Sequence, residues 1–171
     1  MICKRVKAHI INSKLRRMKI TSLIAKHIKE VFDGTNWTEI GIGDTVADLT
    51  FEEATTVTQA SRNTIASLVY HVKFYNDVVL QRLHGVSPHI NEANGFDMPE
   101  LKNESEWKQL IADAHQSFER LAAAAEDFPE DRLEELTPNG ESSYYKNLHG
   151  IAEHAHYHLG QMVILKKLIR S

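Results

Sequence analysis

Residues 149–161 read HGIAEHAHYHLGQ, with four histidines among the first ten positions. At about 100° per residue, Leu148, Ile151, Ala155, Leu159, Met162 and Ile169 fall on one stripe, so the spacing predicts an amphipathic helix. The turn signal Pro138-Asn139-Gly140 precedes it, and the helix is expected to begin around Ser143 and run almost to Ser171. His154 and His158, four residues apart, lie along one border of the stripe. Helical neighbours at that spacing stand about 5–6 Å apart at Cβ, close enough for both imidazoles to reach one cation. His156, offset by two, cannot join them, and His149 and Glu153 project toward the opposite border or the outer face. The pair alone serves two readings: half of a metal site, or two polar residues flanking a core stripe.

Two imidazoles from one helix rarely hold a divalent ion tightly, so a metal site requires a further ligand from another element. Residues 64–83, TIASLVYHVKFYNDVVLQRL, offer His71. Ile65, Leu68, Val69, Val72, Tyr75, Val79 and Leu83 have helical spacing, and His71 sits on the flank of that stripe beside Leu68 and Tyr75. An interfacial histidine bonded to a carbonyl would look the same, and periodicity does not decide between the two.

Two more amphipathic segments complete the set. The first is expected over Ile20–Phe32, with Leu23, Ile24, His27, Ile28 and Val31 as its stripe and Asp33-Gly34 as its stop. Residues 35–49 read as a long ordered loop containing Gly41 and Gly43, with Trp37 covering one bundle opening. Thr50 and Glu53 match a capping box, which predicts a short helical turn. The helix bearing His71 is expected from near Arg62 to Leu83, stopped by His84-Gly85, and a polar connection follows through Pro99. Asn103 or Ser105 caps a third long helix carrying Trp107, Leu110, Ile111, Ala114, Phe118, Leu121, Ala122 and Ala125, limited by Pro129. His27, His84, His89 and His115 read as boundary or surface residues. Four such helices without alternating strands indicate an all-α four-helix bundle with long inter-helix connections, its ligands facing the interior or one open end. Connections of that length are candidate pocket walls.

A chain of 171 residues is expected to form one domain with a single core. Its only cysteine, Cys3, excludes an internal disulfide and any CxxC motif and fits a reducing, cytoplasmic compartment. Bilayer spanning needs about 20 consecutive apolar residues, and the longest run here is only a few. Six of the 20 Lys and Arg but none of the 23 Asp and Glu fall in residues 1–17, so the overall charge of −3 conceals a basic segment on a body of charge −9. Residues 1–17 are expected to be translated leader upstream of a start at Met18, or a helical extension, with residues 18–171 forming the bundle. A nucleic-acid arm is disfavoured, because six charges without interleaved aromatics give salt-dependent attraction but no base readout, and an acidic body repels DNA.

TIASLVYHV in the second long helix, with His154, His158, Gly160 and Gln161 in an HxxxHxGQ pattern in the last, resembles the DinB/YfiT-like helical metalloproteins. The resemblance extends from about Met18 to Arg170. It implies a four-helix bundle in which one histidine of the second long helix and the HxxxH pair of the last bind a divalent metal. In this sequence those ligands are His71, His154 and His158. Many relatives read HxxxHRGQ, whereas Leu159 stands in place of the arginine here. The wider family includes transferases and isomerases using small thiols such as bacillithiol or mycothiol, so the resemblance implies a metal-dependent S-transferase acting on a small-molecule substrate with a low-molecular-weight thiol. Relatives often pair through bundle faces, which implies a homodimer.

Three neutral imidazoles leave one position of a tetrahedral zinc, or two or three of a six-coordinate ion, for water or substrate. Zinc and nickel head the expected ions, followed by iron and manganese; the ligands alone do not separate them. Hydrolysis and thiol transfer are both accessible to such a centre. No general acid or base is assignable: Glu153 points away, and Tyr75, Tyr144, Asn147 and Gln161 have ordinary structural uses. HExxH is absent, as are phosphate loops and a GxSxG elbow, which disfavours thermolysin-like proteolysis, nucleotide hydrolysis and serine chemistry. The competing class is a non-catalytic metal- or ligand-binding bundle. Metal binding by imidazole is expected to weaken as pH falls through about 6.5, where histidine ordinarily titrates.

Overall fold

The computed structural model describes residues 18–171, so the expectations for residues 1–17 lie outside the described residues. In chain order the helices are α1 (Ile20–Asp33), α2 (Ile42–Val46), α3 (Phe51–Thr55), α4 (Ile65–Leu83), α5 (Glu104–Asp127) and α6 (Tyr144–Ile169), with a 3-10 turn at Glu130–Arg132. Among the described residues there is no strand beyond two isolated bridges.

The helix ends follow the local chemistry. Thr64, Asn103 and Ser143 sit in extended backbone, and each side chain accepts a hydrogen bond from a backbone N–H three residues on, at Ser67, Glu106 and Lys146. A cap of this kind contributes roughly 1 kcal/mol. Thr50 and Glu53 form the reciprocal capping box at α3. α1 stops where Gly34 turns left-handed at φ 79° and returns its N–H to the Glu30 carbonyl.

The four long helices pack as a closed set, α5 against α1 and α4, and α6 against α4 and α1. Trp107, Phe118, Ile28, Leu68, Leu121, Leu148 and Met162 are all fully buried between them. Each large apolar side chain withdrawn from water contributes about 1.5–3 kcal/mol. The Trp107 indole N–H donates to the Leu49 carbonyl at 3.0 Å, fastening the chain before α3 to α5. Beyond it, Lys166 and Arg170 at the end of α6 hold Asp48 at 2.5 and 2.7 Å, and Arg170 holds Glu53 at 2.7 Å. These cations keep both carboxyls well below the usual range, Lys166 first and Arg170 second for Asp48, and Arg170 ahead of the Thr50 backbone for Glu53.

Three expectations are corrected. Trp37 is 99% exposed and covers no opening. The segment expected to be loop contains α2, whose five residues bury Ile42, Thr45 and Val46; a helix that short offers too little periodicity to detect. Leu23 is 48% exposed, because α1 turns Thr21, Ala25, Ile28, Val31 and Phe32 inward instead. Among the described residues no helix is long and apolar enough to cross a membrane.

Candidate metal centre

α4 presents His71 and α6 presents His154 and His158 to the seam between the two helices. His71 and His158 are buried, at 3% and 6% exposure, and His154 is half-buried. Nε2 of His154 lies 3.0 Å from Nε2 of His71 and 3.1 Å from Nε2 of His158. Among the described residues these three form the group whose ligand atoms all fall within 4.8 Å of one another. The structure therefore brings together the three histidines that the sequence singles out.

The ring nitrogens facing away differ. His158 donates its Nδ1–H to Gln161 Oε1 at 2.7 Å, one turn along α6. With the proton held at Nδ1, Nε2 of His158 carries a lone pair toward its neighbours. Nδ1 of His71 and Nδ1 of His154 are buried without a hydrogen-bond partner.

Burial depresses all three imidazoles. His71 is pushed down to about 4 by desolvation and then by His158, with the Asn94 and Gly95 backbone working in the other direction. His154 falls to about 4 by desolvation and the neighbouring His158 and His71. His158 is lowered by desolvation, opposed by Gln161. The rings are therefore neutral at neutral pH, the form that ligates metal. The competition with protons expected near 6.5 is accordingly displaced toward lower pH.

Neutral rings leave the cluster short of protons. With His158 protonated at Nδ1, whichever way His71 and His154 carry their protons, at least one of the two close Nε2 contacts lacks a well-directed hydrogen bond and either sets like against like or relies on a bent, shared N–H. A cation among them relieves that repulsion. Three nitrogens at about 2.0–2.1 Å from one zinc stand about 3.3 Å apart in a tetrahedron, near the separations found here. The donor set thus fits a divalent ion.

Aromatic rings surround the centre. Phe96, from the connection after α4, stacks on His71 with ring centroids 3.9 Å apart. Tyr75 meets His71 edge-on at 5.0 Å and His154 at 4.9 Å, and its hydroxyl bonds the Asn94 side chain. Phe96 lies in a loop, where no periodicity marks it out in the sequence. Gln161 is recoverable from its position three residues after His158, on the same helix face.

The remaining histidines serve elsewhere. His149 faces Glu153 at 3.3 Å on the outer surface, and His156 stacks on His27 at 5.5 Å. His115 stacks on Phe32 at 4.6 Å, and His84 and His89 are exposed. Leu159 is 4% exposed within the core, so the position that is arginine in many HxxxHRGQ chains contributes only packing here.

The family model described as DinB superfamily matches residues 44–162, more than half the chain and a span that includes the three clustered histidines and Gln161. No curated protein and no solved structure shows a significant match.

Proposed function

This chain belongs to the DinB superfamily, and from that premise we propose that it is a divalent-metal-dependent enzyme that joins a low-molecular-weight thiol to a small electrophilic substrate. The observation that carries the reading is the convergence of three neutral imidazole Nε2 atoms from two helices at 3.0 and 3.1 Å. His71, His154 and His158 would hold the ion, zinc or nickel before iron or manganese. An ion bound there with coordination positions open supplies Lewis acidity and lowers the pKa of a bound thiol or water.

The chain's own residues would do the rest. Gln161 fixes the His158 tautomer, and Phe96 and Tyr75 shield the nitrogens from bulk water. Among the described residues no carboxylate is hydrogen-bonded to the three rings. That absence suits a thiol, which ionises near neutral pH beside a cation without a general base. It also supports a second reading, a non-catalytic bundle that sequesters a metal or ligand. The lone Cys3 suits a reducing, cytoplasmic setting. Tyr157, Ile164 and Leu168, exposed by 64%, 59% and 47% at helical spacing on α6, support pairing of two copies.

Elemental analysis of protein purified without an affinity tag tests the centre first. About one equivalent of a transition metal is expected, with His154→Ala or His158→Ala losing most of it while helicity persists. Unchanged stoichiometry in both variants would overturn the assignment. Metal-loaded protein turned over with small thiols and alkyl or aryl electrophiles then separates the enzyme from the sequestering bundle.

A further inference from the structure

A cleft of about 250 Å³ runs along the seam of α4 and α6 beside the histidine cluster. Two pairs of residues one helical turn apart form its sides, Tyr75 and Val79 on α4, and Gly150 and His154 on α6, with Ile151 between the latter two. Tyr75 connects the cleft to the centre, since the same ring lies edge-on to His71 at 5.0 Å and to His154 at 4.9 Å. Gly150 and His154 are separated by about 6 Å of helical rise, so a group lying over Gly150 stands one turn from a ligating imidazole.

Gly150 is the residue without a structural reason. Glycine inside a helix is less favourable than alanine, because it loses more backbone freedom on folding. The position is mid-helix and half-buried, yet no neighbour requires the side chain to be missing: a Cβ there would meet no atom beyond its own helix within 4 Å. What the glycine supplies is the open space of the cleft. The walls leave little for a polar ligand to hold. The Asn147 amide donates to Ser142 Oγ at 2.7 Å and to the Ser143 carbonyl at 2.9 Å, and its oxygen accepts from Arg82 at 2.7 Å. The Tyr75 hydroxyl is engaged by Asn94, and Lys146 stands exposed, where its ammonium stays hydrated. Val79, Ile151 and the Tyr75 ring remain, an apolar lining that draws a hydrocarbon group out of water. An apolar cavity of about 150 Å³ holds one benzene, so this cleft has room for a substituted phenyl ring.

We propose that the cleft holds the hydrocarbon part of the electrophile, a neutral aryl group carried next to the reacting carbon, and that Gly150 sets the space this group fills. This rests on the reading that the histidine centre takes the thiol sulfur. Tyr75, Val79 and Ile151 would pack against the ring and hold the reacting carbon at the His154 end. With benzyl chloride and mercaptoethanol, a C–S bond would form as the C–Cl bond breaks, chloride leaving with the electron pair and the thiol proton passing to water.

Two measurements on zinc-loaded protein test it. The first is calorimetric binding of benzyl alcohol, an unreactive aryl probe. The second is turnover of mercaptoethanol with benzyl chloride and with chloroacetamide, which carries no hydrocarbon group, each rate taken relative to the uncatalysed reaction. Expected are saturable benzyl alcohol binding and a kcat/KM at least tenfold higher for benzyl chloride. Gly150→Leu should weaken benzyl alcohol binding at least tenfold and raise KM for benzyl chloride, while zinc content holds and the melting temperature does not fall, because leucine favours the helix. Gly160→Ala, at an exposed position of the same helix, should match the parent throughout. Equal kcat/KM for the two electrophiles overturns the cleft assignment but leaves the thiol reaction standing, as does benzyl alcohol binding that Gly150→Leu does not change. Binding that Gly150→Leu removes, with neither electrophile turned over, supports the cleft and removes the thiol reading. Failure of binding and turnover together overturns both.

Discussion

Gln161→Leu is the most incisive perturbation of the centre, because it leaves every ligand in place and removes one acceptor. In the parent protein the Nδ1–H of His158 donates to Gln161 Oε1 at 2.7 Å, and His158 is 6% exposed, so water has little access to replace the lost partner. Two costs follow. Leaving a buried N–H unsatisfied costs about 1–3 kcal/mol of folding stability. Freeing the ring to exchange tautomers and reorient costs about 10–100-fold in metal affinity, or about 1.4–2.8 kcal/mol. His71 and His154 have no such partner at Nδ1, so no second contact compensates. Gln161→Glu should act in the opposite direction, since a carboxylate acceptor raises the basicity of the ligating nitrogen. Zinc affinity measured by competition with a chromophoric chelator near pH 7.5 checks both variants, with thermal melts of the metal-free proteins alongside. A Leu variant that binds zinc within twofold of the parent, or a Glu variant weaker than the Leu variant, would refute the reasoning.

Acid should destabilise the metal-free fold through the same rings. The folded-state values of His71 and His154 lie near 4, below the ordinary unfolded value of about 6.5, so their contribution is complete above 6.5 and is lost as pH falls toward 4. Urea titrations between those limits should show the loss, and zinc should remain bound well below pH 6.5; release of the ion centred at 6.5 would contradict the burial argument. Gly41→Ala should lower the melting temperature by several degrees, since a Cβ there would sit 2.4 Å from the Phe32 carbonyl oxygen and overpacking costs about 1–3 kcal/mol. An unchanged melt would mean that α2 can move away from α1. Ile164→Glu, in the exposed stripe of α6, should convert a dimer to a monomer in sedimentation velocity, whereas a parent protein already monomeric would remove that proposal.

Much of this fold was legible because its signals are local. Thr64, Asn103 and Ser143 cap helices whose apolar spacing runs for many residues, and the Thr50–Glu53 pair announces α3 within one turn. The histidine cluster was legible for a related reason: His154 and His158 share a helix face, and the resemblance supplied His71, which spacing alone left ambiguous. What escaped depends on contacts between segments distant in the chain. Trp37 is large and apolar, yet its 99% exposure follows from the path of the loop, which its own neighbours do not specify. Leu23 lost its place in the core because the faces of α5 and α6 admit Ala25 and Ile28 instead. Arg82 donates to Asn147, 65 residues later in the chain, a contact that no local pattern announces.

The ring stacked on His71 has a consequence for timing. Phe96 lies 3.9 Å from His71 and comes from a connection, while the adjoining Gly95, at φ 77°, lies so close to Phe74 that a Cβ there would approach its ring to 2.5 Å. His71 cannot swing clear of its two companions unless that connection lifts. How tightly an ion is held and how quickly it comes and goes are thus assigned to different stretches of chain, nitrogens for the one and an aromatic stopper for the other. Phe96→Ala would expose the division, quickening zinc exchange in a stopped-flow chelator experiment while shifting the equilibrium constant far less; equal changes in both would merge the two roles.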